Sequence, residues 1–196
     1  ASFDAQLSNL APYLIYLVVG AIVFFETGVL FAFFLPGDSI LFSAGLVAAA
    51  HGEVNIVILV SVIFIAAFLG DQVGFVIGRL VGRPYLDKHD SPRMQKMIAR
   101  SERFYEQTGW WAVVAARFFP WIRTFVPPIA GASKMNYYKF LSANILGALL
   151  WGVGITLAGY YAASLPWVKT WSYAIAAFFI TASLVSALVN YLRHRR

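Results

Sequence analysis

The chain has 196 residues, of which 60% are hydrophobic and only 12% are charged, and it has no cysteine. Soluble domains carry about 25% charged residues, so this composition excludes an ordinary soluble protein and indicates an integral membrane protein without disulfides. The net charge of +6 is a topology signal and does not indicate nucleic-acid binding, because no Lys or Arg precedes Arg79.

The first half of the chain is predicted to contain two transmembrane helices separated by a short apolar element. A spanning helix needs about 20 apolar residues, whereas the run after Pro36 and Gly37 has only twelve, from 39 to 50. The predicted elements are a transmembrane helix over 10–25, a re-entrant hairpin over 26–50 and a transmembrane helix over 54–78. An alternative is two full spans over 10–35 and 37–53, which would move the N-terminus to the other side of the membrane.

The second half is predicted to repeat this organisation after a basic loop. Pro120, Pro127 and Pro128 interrupt an apolar run and remove backbone donors, which favours broken helices over one span. Ser91 followed by Pro92 is typical of a helix start. The predicted elements are a cytoplasmic loop over 79–109 containing an amphipathic helix over 92–108, a re-entrant hairpin over 110–133, and transmembrane helices over 137–163 and 170–192.

Basic residues predict the orientation of these elements. Residues 79–103 hold seven basic and three acidic residues, and the chain ends Arg193-His194-Arg195-Arg196, so both regions should be cytoplasmic. Two regions on the same side of a membrane are separated by an even number of crossings. The spans at 137–163 and 170–192 already supply two crossings. The hairpin over 110–133 should therefore enter and leave on the cytoplasmic side, opposite to the first hairpin. We predict an all-α, multi-pass membrane protein with a cytoplasmic C-terminus, one membrane domain over 1–196, and an inverted repeat.

Two arginines in the apolar segment RFFPWIRTFVPPIAG, Arg117 and Arg123, are the strongest functional signal. An arginine at the centre of a bilayer costs roughly 3 kcal/mol or more, so such residues usually have a partner or a role. A guanidinium matches phosphate oxygens and stays charged when buried, which favours binding of a substrate phosphate. The alternative is a structural ion pair with Glu26, Asp38 or Asp71.

Glu26 and Asp38 lie in equally apolar surroundings and are the candidate proton-coupling residues. Burial raises the pKa of a carboxyl group and a nearby arginine lowers it, so these groups are expected to titrate near neutral pH. For Asp38 the alternative is an N-cap of a helix that begins near Ser39. The secondary candidates for the site are Asp71, Ser39 and Thr124.

Enzyme motifs are sparse. The chain has three histidines and lacks HExxH, GxSxG and P-loop patterns, so we predict no catalytic residue, metal or cofactor. A dyad of Ser39 with His51 has no group to orient the histidine. The glycines at 70, 74, 78 and 82 favour close helix packing, as do those at 147, 152, 154 and 159, with Asn144 and Thr156 as further helix contacts.

The sequence resembles the DedA family, which shares the domain of the SNARE-associated Golgi proteins. The resemblance covers about 20–165, through FFETGVLFAFFLPGDSILFSAG, GDQVGFVIGRLVG, ARFFPWIRTFVPPIAGASKMNYYKF and NILGALLWGVGITLAGYY. It implies two opposed re-entrant hairpins, a location in the bacterial inner (cytoplasmic) membrane, and a role with envelope lipids that depends on the proton motive force. The family's acidic and arginine positions match Glu26, Asp38, Arg117 and Arg123.

The resulting hypothesis is a flippase for a lipid phosphate, with undecaprenyl phosphate as substrate and protons as the coupling ion. Its expected partners are an anionic lipid, either a polyprenyl phosphate or a phospholipid, and the surrounding membrane lipids; a homo-oligomer is left open and nucleic acid is not expected. The alternatives are a phospholipid scramblase, a proton-coupled transporter of small cations or drugs, a scaffold without transport, and an enzyme acting on lipid phosphates.

Overall fold

The computed structural model describes residues 3–28, 37–50, 52–88 and 92–165, and every regular element in these ranges is helical. Three of the described helices are long and apolar enough to cross a membrane: Ala11–Gly28, Ile56–Lys88 and Tyr137–Ala162. The chain is therefore an all-α protein with three candidate membrane-spanning helices in this part of the sequence. The predicted span over 170–192, the tip of the first predicted hairpin at 29–36, and Ser91 and His51 lie outside the described residues.

The described helices follow one another with few connecting residues. In chain order they are α1 (Phe3–Gly28), α2 (Gly37–Ala50), α3 (Ile56–Ile77), α4 (Arg83–Lys88), α5 (Pro92–Gln107), α6 (Gly109–Ala116), α7 (Pro120–Arg123), α8 (Val126–Ala132), α9 (Tyr137–Ala148) and α10 (Gly154–Ala162). One π-helical turn, Gly78–Gly82, joins α3 to α4, and a second, Leu149–Val153, joins α9 to α10. Each pair forms one continuous long helix.

The sequence prediction is wrong about two helix boundaries. The loop expected from residue 79 begins later, because Gly78 has right-handed helical angles (φ −57°, ψ −41°) and does not end α3. The backbone N–H of Arg83, the residue after this π turn, bonds to Gly78 O, and the next residue, Pro84, has no N–H. At the other boundary, α1 continues to Gly28, so Glu26 lies on the last turn of a helix rather than at the start of a hairpin.

α1 runs parallel to α3. At the start of α3, the backbone N–H of Asn55 donates a hydrogen bond to the hydroxyl of Tyr16 at 2.7 Å. At the other end of α1, a β-carbon added at Gly28 would lie 3.1 Å from Gly70 Cα. Gly70 is about 21 Å along the helix from Ile56 and about 13 Å from Arg79, so α1 ends deep within the apolar part of α3.

α2 runs parallel to the second half of the other long helix. The indole Nε1 of Trp151 donates to Asp38 Oδ1 at the start of α2. Further along, a β-carbon added at Gly45 would lie 2.8 Å from Tyr160 N in α10. α2 therefore begins near the middle of the Tyr137–Ala162 helix and proceeds toward its C-terminal end.

The segment over 110–133 is interrupted, as its prolines predict, into α6, α7 and α8. α6 runs parallel to α9, since Trp110 Nε1 donates to Ser142 Oγ at 2.9 Å and a β-carbon added at Gly147 would lie 2.7 Å from the Cδ of Arg117. α8 lies along the end of α3 and its π turn. With eight and seven residues, α6 and α8 are about 12 and 10 Å long, too short to cross a bilayer core of about 30 Å.

The two long helices are antiparallel. The rings of Phe75 and Phe140 stack with centroids 4.3 Å apart, and Asn144 Nδ2 donates to Phe68 O at 3.1 Å. Two apolar clusters flank the middle of this pair. One contains Leu59, Ile63 and Trp151 together with residues of α1 and α2, and the other contains Phe75, Val113 and Phe140.

Glycine contacts in α10 give a direct test of this packing. A β-carbon added at Gly159 would lie 2.9 Å from the carbonyl carbon of Phe42, whereas one at Gly154 would approach only Leu149 O, at 3.8 Å. Gly159→Ala should therefore lower the free energy of unfolding by about 1–3 kcal/mol through overpacking. Gly154→Ala is the matched control and should be neutral or stabilising. Thermal unfolding in detergent measures both, and equal effects of the two substitutions would contradict the α2–α10 contact.

Candidate functional site

Arg123 joins two carboxylates from different helices. The side chain leaves the short helix α7, and its NH1 donates to Asp38 Oδ1 at 2.8 Å while its NH2 forms an ion pair with Glu26 Oε1. Glu26 comes from the last turn of α1 and Asp38 from the first turn of α2. The N-cap interpretation of Asp38 is wrong, because α2 already begins at Gly37 and Asp38 binds Arg123 and Trp151 instead.

Arg117 forms a second, separate ion pair with the long helices. Its NH2 donates to Asp71 Oδ2 and to Asn144 Oδ1, both at 2.5 Å, and to Ala67 O at 3.3 Å. Asn144 is oriented by its own Nδ2, which donates to Phe68 O. Of the three carboxylates that the sequence offered as partners, Arg117 therefore pairs with Asp71, and Arg123 pairs with the other two.

Trp151 lies between the two arginines. The guanidinium carbon of Arg123 is 4.7 Å from the indole centroid and that of Arg117 is 5.9 Å away, while Nε1 binds Asp38. A desolvated cation over an indole is stabilised by about 2 kcal/mol. The ring thus contacts both cations and one carboxylate and makes a single cluster of the two ion pairs.

The cluster is buried except at Asp38. The side chains of Glu26, Asp71, Arg117 and Arg123 are 0 to 5% exposed, whereas that of Asp38 is 43% exposed. Three carboxyl groups face two guanidiniums, so one negative charge is in excess when all five groups are ionised. Asp38 is therefore the member of the cluster that lies at the molecular surface.

Several buried polar atoms of the cluster have no hydrogen-bond partner among the described residues. They are Glu26 Oε2, Arg117 Nε, Arg117 NH1 and Arg123 Nε. A buried unpaired donor costs about 1–3 kcal/mol, and more when it is charged, so such atoms normally have a partner. Three nitrogen atoms of the two arginines, which together carry four N–H bonds, are therefore without an acceptor among the described residues.

Two glycines make room for the charged side chains. A β-carbon at Gly37 would collide with the carboxyl group of Glu26, and one at Gly147 would lie 2.7 Å from Arg117 Cδ. Gly147 was predicted to be a helix contact, but its nearest neighbour is the arginine side chain. Gly70, Gly74 and Gly78 do serve close packing, the first against α1 and the other two against α8.

The secondary candidates differ in their positions. Thr124 is 1% exposed and its hydroxyl donates to Glu26 O at 3.4 Å, which ties the chain after α7 to the end of α1. Asp71 is the carboxylate partner of Arg117. Ser39 is half-buried and makes none of the hydrogen bonds of this cluster among the described residues. The same ranges hold no group of three His, Cys, Asp or Glu side chains that could bind a metal ion.

The sequence prediction missed Trp151 as a site residue and gave Asn144 only as a helix contact. Asn144 carried a usable signal, because an amide on an apolar helix needs a buried partner. No feature of the sequence pointed to Trp151, because a tryptophan within a membrane helix is ordinary and its contacts depend on where α2 and α7 end.

Comparison with known proteins identifies the family. The VTT domain model matches residues 35–161, which include every residue of the cluster except Glu26. An uncharacterized membrane protein of Mycobacterium tuberculosis is 43% identical over 174 residues, 88% of this chain and 76% of that protein. The protein DedA of Escherichia coli is 35% identical over 184 residues, 93% of this chain and 84% of that protein. No solved structure is significantly similar. The chain therefore belongs to the DedA family of membrane proteins.

Proposed function

We propose that the protein is a transporter that moves a lipid phosphate of the undecaprenyl phosphate class across the bacterial cytoplasmic membrane, with protons as the coupling ion and without catalysing a chemical reaction. The observation that carries the proposal is the set of three buried nitrogen atoms on Arg117 and Arg123 that have no acceptor among the described residues. Guanidinium groups bind phosphate oxygens through several charge-assisted hydrogen bonds, so a phosphate would satisfy the donors that the protein leaves without partners.

The arrangement of the short helices supports two opposed re-entrant hairpins. In each half of the chain the helix before the break packs along the long helix of its own half, α1 on α3 and α6 on α9, and the helix after the break packs on the long helix of the other half. By this pattern of contacts, α1, α2 and α3 of the first half correspond in turn to α6, α8 and α9 of the second half. Because the long helices are antiparallel, two such hairpins would enter from opposite faces, and the contacts of Arg123 with Glu26 and Asp38 would lie at mid-depth, as expected for an inverted repeat.

The charge distribution supports a cytoplasmic location for one end of this assembly. Arg79 and Arg83 at the end of the Ile56–Lys88 helix lie beside Lys134 and Lys139 before and within α9. Basic residues collect on the cytoplasmic side of membrane proteins. The second hairpin would then open to the cytoplasm and the first to the opposite face.

In the proposed mechanism the carboxylates and the ligand compete for the same guanidiniums. Without ligand, Arg123 pairs with Glu26 and Asp38. When a phosphate binds Arg123, the carboxylates lose their cation and take up protons, because an isolated ionised carboxylate is costly in a low-dielectric site. Release of phosphate on the other face returns the protons. The hydrocarbon chain of the lipid stays in the bilayer throughout.

The excess of carboxylates favours one alternative, a proton-coupled transporter of small cations or drugs. Asp38 is the exposed member of the cluster, and a cationic substrate would bind it and Glu26 while the arginines act as counter-ions. The two proposals differ in what Arg123 does, and substitutions at this position separate them.

The test is transbilayer movement of labelled undecaprenyl phosphate in proteoliposomes, with and without an imposed pH gradient. Wild-type protein should accelerate the movement, and a gradient of the correct sign should increase it further. Arg123→Ala and Glu26→Gln should both reduce the movement at least tenfold, the scale of one lost charge-assisted hydrogen bond. Folding of each variant is checked by its elution from a sizing column.

The outcomes are distinct. Movement by the wild type and by neither folded variant supports both the function and the site. Movement that does not depend on a pH gradient argues against proton coupling but leaves lipid translocation intact. If intact wild-type liposomes move no lipid under either condition, the lipid-phosphate proposal fails and uptake of small cations becomes the measurement to make.

A further inference from the structure

A second charged region lies at the basic end of the bundle, away from the buried cluster. It is a cavity of about 740 Å³ between the end of the Ile56–Lys88 helix, the end of α5 and the connection from α8 to α9. Cavities of roughly 300–1,000 Å³ are typical of small-molecule sites. Its lining includes four basic residues, Arg79, Arg83, Lys134 and Lys139, and two acidic ones, Glu102 and Glu106.

The positive charge of this cavity is only partly neutralised. Arg83 is paired with Glu102 and Asp87. Arg79 donates one long hydrogen bond of 3.4 Å, to Met135 O, and forms no ion pair among the described residues. Neither Lys134 nor Lys139 has an ion-pair partner in that part of the chain. Three cations without an ion pair therefore face the cavity, against one such carboxylate, Glu106, among the described residues, so the positive charge is in excess.

Lys134 and Lys139 both occupy positions that are energetically unfavourable when no anion is bound nearby. Lys134 has a φ of 55°, in the left-handed region that lysine rarely adopts. It occupies the position after α8 where glycine is usual, since its N–H bonds to Gly131 O and that of Met135 bonds to Ala130 O. Lys139 lies in the first turn of α9, where the helix dipole disfavours a cation. An anion bound in the cavity would offset the energetic cost of both positions.

We infer that this cavity is a second anion-binding site, which accepts a phosphate group through Arg79, Lys134 and Lys139. Tyr105 also lines the cavity and its hydroxyl is a neutral group at physiological pH, as that of any tyrosine is; burial raises its pKa further, to about 12. The phosphate can belong to a lipid headgroup at this face of the membrane or to a free phosphate ion. The site is separate from the buried cluster and does not depend on the proposed transport.

The experiment measures binding by titration calorimetry on the full chain in neutral detergent. The two probes are inorganic phosphate and a short-chain phosphatidic acid below its micelle concentration. Wild-type protein should bind at least one probe, and Lys134→Gly should weaken that binding about tenfold, the effect of one charge-assisted contact. Because glycine prefers a positive φ, Lys134→Gly should keep or raise the melting temperature, so weaker binding cannot be assigned to unfolding.

Lys96→Gln is the matched control, because Lys96 is exposed on α5 and does not line the cavity. It should leave the affinity unchanged. Binding of the phosphatidic acid alone would identify a lipid headgroup as the ligand, and equal binding of both probes would show that the free anion suffices. Absence of binding to either probe, or equal weakening by Lys134→Gly and Lys96→Gln, would overturn the inference. A failed transport assay does not bear on it.

Discussion

Arg117→Met is expected to lower the free energy of unfolding by about 3–5 kcal/mol, the cost of removing one partner from a buried ion pair. Asp71 is 5% exposed at its side chain and its carboxylate has Arg117 as its only hydrogen-bond donor among the described residues. Without the guanidinium, Asp71 must remain an unpaired charge or take up a proton, and both states are less stable than the pair.

The double variant Arg117→Met/Asp71→Leu separates stability from function. Apolar replacement of both members of a buried pair is often neutral or stabilising, so most of the lost stability should return. Transport should not return, because the donor set for phosphate is then incomplete. Denaturant unfolding, followed by tryptophan fluorescence, measures the free energy of unfolding.

Asp87→Asn is a suitable control for these measurements. Its side chain is 53% exposed and its partner is Arg83 on the same helix, so the change should stay within about 0.5 kcal/mol. A double variant that is as unstable as Arg117→Met would contradict the pairing of Arg117 with Asp71.

Arg123→Lys is expected to reduce lipid-phosphate transport by about tenfold to a hundredfold, although the charge is conserved. Arg123 uses NH1 for Asp38 and NH2 for Glu26, and its Nε has no hydrogen-bond partner in the described part of the chain. A lysine ammonium is a compact charge on a flexible stem and lacks the planar fork that serves two partners and a phosphate at once. Flux in proteoliposomes is the measurement.

Arg83→Lys, at the basic end of the bundle, serves as the control for this change and should leave flux nearly unaltered. If Arg123→Lys transports lipid at the wild-type rate, the arginine is not a phosphate ligand. Retained uptake of a small cation by the same variant would then favour the alternative in which the arginines are only counter-ions.

Much of the fold was predictable because it depends on composition and chain breaks. Apolar runs located α2, α3 and α9 with α10, and the prolines after residue 119 located the interruption between α6 and α8. The continuation of the helix beyond Ile77 as far as Lys88 was not predictable, because a glycine that ends a helix commonly has a left-handed conformation and the sequence does not specify which conformation Gly78 adopts.

The charged residues of the candidate site were predictable from the sequence, but the ion pairs that they form were not. Charged side chains in apolar segments drew attention to Glu26, Asp38, Arg117 and Arg123, because burial of an unpaired charge is costly. Which carboxylate binds which arginine depends on contacts between residues 46 to 97 positions apart. Periodicity carries no information on such contacts.

The separation of charges between the two halves of the chain has an electrical consequence. Both cations of the cluster belong to the segment from α6 to α8, whereas Glu26 and Asp38 belong to α1 and α2. Displacement of these segments past each other along the membrane normal would move opposite charges in opposite directions, and the two movements add as gating charge. Each elementary charge moved through the full membrane potential changes the energy by about 2.3 kcal/mol per 100 mV. The equilibrium between conformations that differ in this way therefore depends on voltage.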